Sequence, residues 1–315
     1  MSALGERKIA KLDRLAAAGA AAEAGGVSLV RDAFRRLRRS PVAIVGAVII
    51  LVFLLVAIFA PVLAPHDPYT GYLIDQVRLG QSQIPGPQPG FPLGGDAQGR
   101  DLLSRLIFGS RQTLFVGVVA TLIGLAAGVV LGVLSGAAGG WLDTVLMRLV
   151  DVLLSMPGLL LAITLVALTS RSSQWTVIGA VAIVNVPIFA RLLRGSMLAQ
   201  RESDHVLAAR ALGVRPKAVV LRHMLPNAIS PVIVQATLTL ATAIIDAAAL
   251  SYLGLGDPDI NRAEWGVMLG GPGQTYLDIR PELAYYPALA IVIVALGFTL
   301  LGESMREALD PKNRR

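Results

Sequence analysis

Apolar residues gather in six runs, at about residues 41–63, 112–138, 146–169, 176–193, 230–253 and 283–301. The first run has 23 residues. At about 1.5 Å of rise each, a helix of that length spans roughly 34 Å, enough to cross the hydrocarbon core of a bilayer. Backbone groups in lipid must satisfy one another, so such runs predict transmembrane helices. The polar stretches between them differ in kind. In 27–39, Val30, Phe34 and Leu37 recur at i, i+4 and i+7, while Arg31, Arg35, Arg36, Arg38 and Arg39 fill the other faces. That pattern predicts an amphipathic helix lying on the membrane surface. Residues 1–26 are Ala-rich and read as a cytoplasmic tail without the apolar core of a signal peptide. Residues 65–111 are rich in Pro and Gly, and 257–282 carry Asp257, Asp259, Glu264, Asp278 and Glu282.

Arg and Lys lie mainly before the first run, between the fourth and fifth, and after the last. The excess of positive charge on one side places both termini and residues 203–227 in the cytoplasm, and 65–111 and 257–282 outside. The predicted fold class is therefore an all-α polytopic membrane protein with six transmembrane helices. It divides into a tail and surface helix (1–40), a first span with its external loop (41–111), a core of five spans (112–302) and a cytoplasmic tail (303–315).

Several runs contain residues that simple lipid exposure does not explain. Gly124, Gly128, Gly132 and Gly136 recur every four residues, which predicts a stripe where another helix approaches closely. Arg148 and Asp151, at i and i+3, are expected to pair on one helix face. Asn185 and Pro187 lie in the fourth run, and the proline is expected to kink it. Asp246 lies inside the fifth run, where an acid faces the protein interior or an aqueous cavity. Leu134-Ser135-Gly136 ends a membrane helix and is not an ATPase signature. Asp96, Asp101, Arg100 and Arg105 read as a solvated, salt-bridged turn.

Composition narrows the function. Of 315 residues, 54% are hydrophobic and only 16% charged, against about 25% charged in soluble domains. The formal net charge of +7 follows from membrane topology and does not argue for nucleic acid. There is no cysteine and there are three scattered histidines, so no metal site and no thiol chemistry is expected. No catalytic nucleophile–base pair and no phosphate-binding Gly-x4-Gly-Lys-Ser/Thr occurs, so the chain itself is expected to bind no ATP and no cofactor. A self-contained secondary transporter or channel working through Asp246 or Asp151 would need internal repeats or a chain of membrane carboxylates. Neither is present.

Residues 203–227 form the most basic run of the second half, with Arg210, Arg215, Lys217 and Arg222 against Asp204. Ser203 or Asp204 can cap a short helix. Ala208, Ala209 and Ala211 favour helix and give it a smooth face. Gly213 can take the left-handed turn that ends it, and Pro216 starts a second short helix. The prediction is a basic helix–turn–helix held at the cytoplasmic surface.

This stretch resembles the EAA loop of permease subunits of binding-protein-dependent ABC importers. Ala208, Ala209, Gly213 and Leu225-Pro226 stand at that family's spacing, with Leu207 where the family has Glu. His223 and Asn227 resemble the dipeptide/oligopeptide/nickel branch. So do Gly94 to Arg105, with Gly95 for the usual Thr, and Met147-Arg148 with Asp151 and Pro157. Ser251 to Gly256 and Ala308 to Pro311 match it as well. The family tends to place an acid at the position of Ala247, one residue after Asp246. The resemblance implies a type I importer permease fold in the bacterial inner membrane. It implies a homologous second permease, two ATPases (separate or fused) that bind ATP and Mg, and an external substrate-binding protein. By the same resemblance Asp204, Leu207, Ala208, Ala209, Arg210, Gly213, His223, Leu225 and Pro226 meet the ATPase.

Overall fold

A computed structural model describes residues 34–78, 83–169, 172–259, 261–276 and 278–309. The readings for 1–33 and 310–315 fall outside these. Of the expected surface helix, 34–37 form one helical turn, with the Arg38 guanidinium over the Phe34 ring.

Every described long element is a helix, and no strand occurs among the described residues. In chain order they are α1 (Pro41–Ile58), α2 (Ala60–Leu63), α3 (Leu102–Ala138), α4 (Gly140–Leu154), α5 (Gly158–Ala167) and α6 (Gln174–Arg201). Then come α7 (Asp204–Ala211), α8 (Pro216–Ala218), a π-helical turn (Val219–Met224) and α9 (Leu225–Ala228). The chain closes with α10 (Ser230–Tyr252), α11 (Trp265–Thr275) and α12 (Glu282–Leu309). Five helices among the described residues are long and apolar enough to cross a membrane, and the α4–α5 pair makes six if it counts as one bent span.

The third span thus departs from expectation. In place of one helix over 146–169 there are two, bent by 92°. Pro157 causes the break. It lacks an N–H, disfavours helix at Met156, and sits at φ −56°, ψ 127°, outside both helices. Pro187, by contrast, lies within an unbroken α6. α12 runs on through Leu309, so the expected tail from 303 is helical that far.

The most extensive helix contact joins α3 to α6. The glycine stripe lies along it. A Cβ at Gly124 would stand 2.8 Å from the Ala182 carbonyl oxygen. At Gly128, Gly132 and Gly136 it would meet the Cβ atoms of Phe189, Leu193 and Met197 at 2.5, 2.8 and 2.7 Å. No side chain fits, and backbone-close packing replaces the hydrophobic drive that lipid does not supply. α1 lies at the edge. It is apolar all round, and of its residues only Ala43, Gly46, Ile50 and Ala57 are buried. Gly46 packs on the α12 backbone at Gly297 and Leu301. The helices leave two ends. One, called the coupling end after its resemblance to the EAA loop, holds 203–229 and both extremities of the described chain. The other, the far end, holds 64–101 and 253–281.

Candidate functional sites at the two ends of the bundle

At the coupling end, α7 is anchored by its inner side. Val206 is buried with Phe189, Leu193 and Met197 of α6 and with Val219, Met224 and Ala228 of the following turns, and Ala209 is buried as well. Ser203 stands at the N-cap, but its hydroxyl donates backward to the Gln200 carbonyl (2.6 Å) and does not cap α7. Gly213 ends the helix at φ +75°, and the Val214 N–H returns to the Ala209 carbonyl at 3.1 Å. That conformation is unstrained only for glycine. The expected smooth alanine face is corrected here. A helix of eight residues must bury one side to be held, so Ala209 turns inward, and the outer surface carries Leu207, Ala208, Ala211 and Leu212 beside Asp204, His205 and Arg210. Leu207 is 47% and Leu212 84% exposed, and Leu221 lies exposed on the next turn. Asp204, Arg210 and Pro226 are exposed, and Leu225 is half-buried. His205 and Asn227 both contact the His223 carbonyl, at 3.2 and 3.0 Å, which ties the start of α7 to the start of α9.

Behind the loop, ion pairs fasten α4 to α6. The Asp143 carboxylate accepts from Arg194 Nε and Nη2 at 2.5 and 2.6 Å, and from the Ser135 hydroxyl. Asp151 pairs with Arg191. The expected Arg148–Asp151 pair is absent. Asp151 turns to α6, and Arg148 is exposed with no ion pair among the described residues. Both ion pairs run from one helix to another, a relation that spacing along a single helix does not reveal.

Two polar groups lie deeper. Asn185 is buried beside Gly124 in the α3–α6 seam, and its Nδ2 has no hydrogen-bond partner. Asp246 is half-buried, whereas Ala247 is buried in a core with Val116, Ala120 and Val181. One residue turns a helix by about 100°, so an acid at 246 and an acid at 247 face different surroundings.

The far end overturns the expectation of a solvated turn. Asp96, Arg100, Asp101 and Arg105 are all buried. Asp101 caps α3, accepting from Leu103 N, Ser104 N and Ser104 Oγ, with His66 Nδ1 at 3.2 Å. Asp96 Oδ1 accepts the N–H groups of Gln98 and Arg100, while Oδ2 accepts from Arg100 Nε at 2.8 Å and faces Arg105 Nε at 3.3 Å. Arg105 Nη1 reaches the carbonyls of Pro68 (3.2 Å) and Asn261 (3.0 Å). One guanidinium therefore joins the loop after α2, the start of α3 and the loop before α11. Trp265, fully buried, covers Gly109 and donates from Nε1 to the Leu106 carbonyl at 3.0 Å. Next to it, Ser251 Oγ donates to Glu264 at 2.6 Å. Burial pushes the Glu264 carboxyl above its ordinary range, opposed by the Ser251 hydroxyl and Arg262. A cavity of about 680 Å³ opens here between α10, α11 and the 96–105 segment.

Sequence reasoning missed Arg105, Glu264 and Trp265 as structural hubs. A signal existed. Asp101 and Ser104 stand where a cap and its partner belong, just before a long apolar run. That places the start of α3 ten residues earlier than hydropathy does, and brings Arg105 into its first turn.

A helical bundle of this kind, with ion pairs gathered at its ends and tight glycine seams between spans, is that of a polytopic membrane protein. Comparison with known proteins takes this further. Residues 128–315 match the family of binding-protein-dependent transport system inner membrane components. Residues 28–83 match the N-terminal transmembrane domain of oligopeptide transport permease C. The chain is 41% identical over 291 residues to the dipeptide transport system permease protein DppC of Alkalihalophilus pseudofirmus, covering 91% of each. It is 38% identical over 283 residues to the glutathione transport system permease protein GsiD of Pectobacterium atrosepticum, covering 90% of this chain and 91% of the relative. A chain of the MetNI methionine ABC transporter shares the fold, with TM-score 0.53 and 22% identity over 65% of this chain and 96% of that one. The protein belongs to the inner-membrane components of binding-protein-dependent transport systems. It is a multi-pass inner-membrane permease subunit of an ABC importer, a class that works with ATPase and binding-protein partners.

Proposed function

We propose that this chain forms half of a translocation pathway for peptides or similar small solutes, beside a homologous second permease. Two ATPases, separate or fused, bind ATP and Mg and seat against the coupling end, on the cytoplasmic side. The chain itself catalyses nothing. A substrate-binding protein docks at the far end, outside. The dipeptide and glutathione permeases among its relatives support the solute class.

The observation that carries the coupling role is the seating of α7. Its inner side is locked into the core through Val206 and Ala209, while Leu207, Ala208 and Leu212 stand outward. A push on that outer surface is passed to α6 and α10 as a rigid displacement, because close-packed interiors transmit strain. Leu207 makes the contact apolar where the resembling loops carry a carboxylate.

Gly213→Asp tests this. The side chain itself has open space, so damage comes from the left-handed backbone, about 1–2 kcal/mol, and from a charge set against the docked partner. Substrate-stimulated ATP hydrolysis by the reconstituted complex should be lost while the permease still inserts. Leu207→Glu should be mild. A crosslink from Ala208→Cys to the ATPase reports docking. Position 208 is chosen because 209 faces inward. If Gly213→Asp leaves both stimulation and crosslink intact, the loop does not couple ATP to transport.

A further inference from the structure

Gln235, Thr242 and Asp246 fall on one face of α10, at steps of seven and four residues, and Leu253, the residue that follows the helix, stands seven further on. The opposite face is closed, with Ala241, Ile244 and Ala248 buried, and buried Thr239 and Leu250 close one flank of the stripe. On the open face Thr242 and Leu253 are exposed and Asp246 is half-buried. At the coupling end, Gln235 borders a cavity of about 670 Å³ that Arg191 and Ser196 also line. At the far end, Leu253 borders the cavity of about 680 Å³. Asp246 lies between the two, six residues and so roughly 9 Å below Tyr252. No described residue gives its carboxylate a hydrogen bond or an ion pair. A charge kept within a span without a partner in its own chain needs one that arrives from outside the chain.

We propose that this face of α10 is wall of the solute path, and that Asp246 receives the protonated amine of the solute in transit. The proposal rests on the importer function proposed above. The carboxylate is the complement of an ammonium group, and the stripe runs from one cavity to the other. The neighbouring hydroxyl of Thr242 already donates to the Thr239 carbonyl at 2.9 Å, which leaves Asp246 as the charged group of the stripe.

The absence of cysteine allows a direct test on the assembled complex with cysteine-free partners. Thr242→Cys, and separately Ala249→Cys as a second position, are treated with cationic and anionic methanethiosulfonate reagents. The cationic reagent should react about tenfold faster, as expected beside a focused negative charge, and Asp246→Asn should abolish the preference. Asp246→Asn should also slow ATP-driven dipeptide uptake severalfold with assembly unchanged. Equal rates for the two reagents would mean that a base of the second permease neutralises Asp246, and would overturn the proposal. Lack of reaction at both positions would place the stripe in lipid or in packing, and would overturn it equally. Unchanged uptake in Asp246→Asn would remove the solute-binding role whatever the labelling shows. Absence of ATP-driven uptake by the unsubstituted complex would instead sink the importer function on which this rests.

Discussion

At the far end, Asp96 is held by two guanidinium groups and two backbone N–H groups, with the side chains of Asp96 and Arg105 only 5% and 2% exposed. At the coupling end, Asp151 and Arg191 meet with 49% and 54% of their side chains exposed. The first network joins three chain segments far apart in sequence. The second joins α6 to α4, which is itself bent away from α5. The difference follows from how each kind of charge contributes. A buried pair that loses one member leaves an uncompensated ion in a low-dielectric interior, so it locks geometry. A half-exposed pair exchanges readily with water and locks little. One end is held by buried charges, while at the other the Asp151–Arg191 pair locks little and the less exposed Asp143–Arg194 pair carries the tie between α4 and α6.

Four substitutions grade this contrast. Asp96→Ala removes the carboxylate that faces buried Arg100 and Arg105 and should cost about 3–5 kcal/mol, read as loss of expression or a large fall in thermal midpoint of the detergent-solubilised complex. A shift of only a degree or two would show that water already reaches the network. Gly128→Leu comes next. Its side chain must displace Phe189 and the Val186 carbonyl, an overpacking cost of about 1–3 kcal/mol, and assembly by size-exclusion chromatography should suffer. Normal assembly and transport would break the account of the α3–α6 seam.

Glu264→Gln has a smaller, pH-dependent effect. The folded chain raises the Glu264 carboxyl above 4.5, so folding takes up a proton between that value and the raised one. The stability this lends is complete below the ordinary range and disappears as pH rises through the raised value. Glutamine stays neutral throughout. The variant's thermal midpoint should therefore gain on the parent as pH rises from about 5 to 8, at no more than about 1.4 kcal/mol per pH unit. A constant difference across that range would show that Glu264 is ionised in the fold at every pH tested. The smallest effect belongs to Arg191→Ala, at about 0–1 kcal/mol. A loss as large as that of Asp96→Ala would erase the distinction between the two ends.

Much of this molecule is legible without coordinates. Run length and hydropathy set the helical class, since a backbone in lipid has few other ways to satisfy itself. The four-residue glycine spacing marks a close-approach face, and Gly213 and Pro216 mark a turn, because these are local properties of backbone and side-chain size. Other features depend on which segments meet. Spacing along one helix points Asp151 to Arg148, and tertiary packing instead supplies Arg191, 40 residues away. Ala209 looks like surface by composition, and the folded chain buries it. The 96–105 segment reads as solvated because its charges balance locally, yet Pro68, Asn261 and Trp265 close over it. Periodicity tells which residues share a face; only the tertiary structure decides what that face meets, and burial and charge pairing are properties of the meeting.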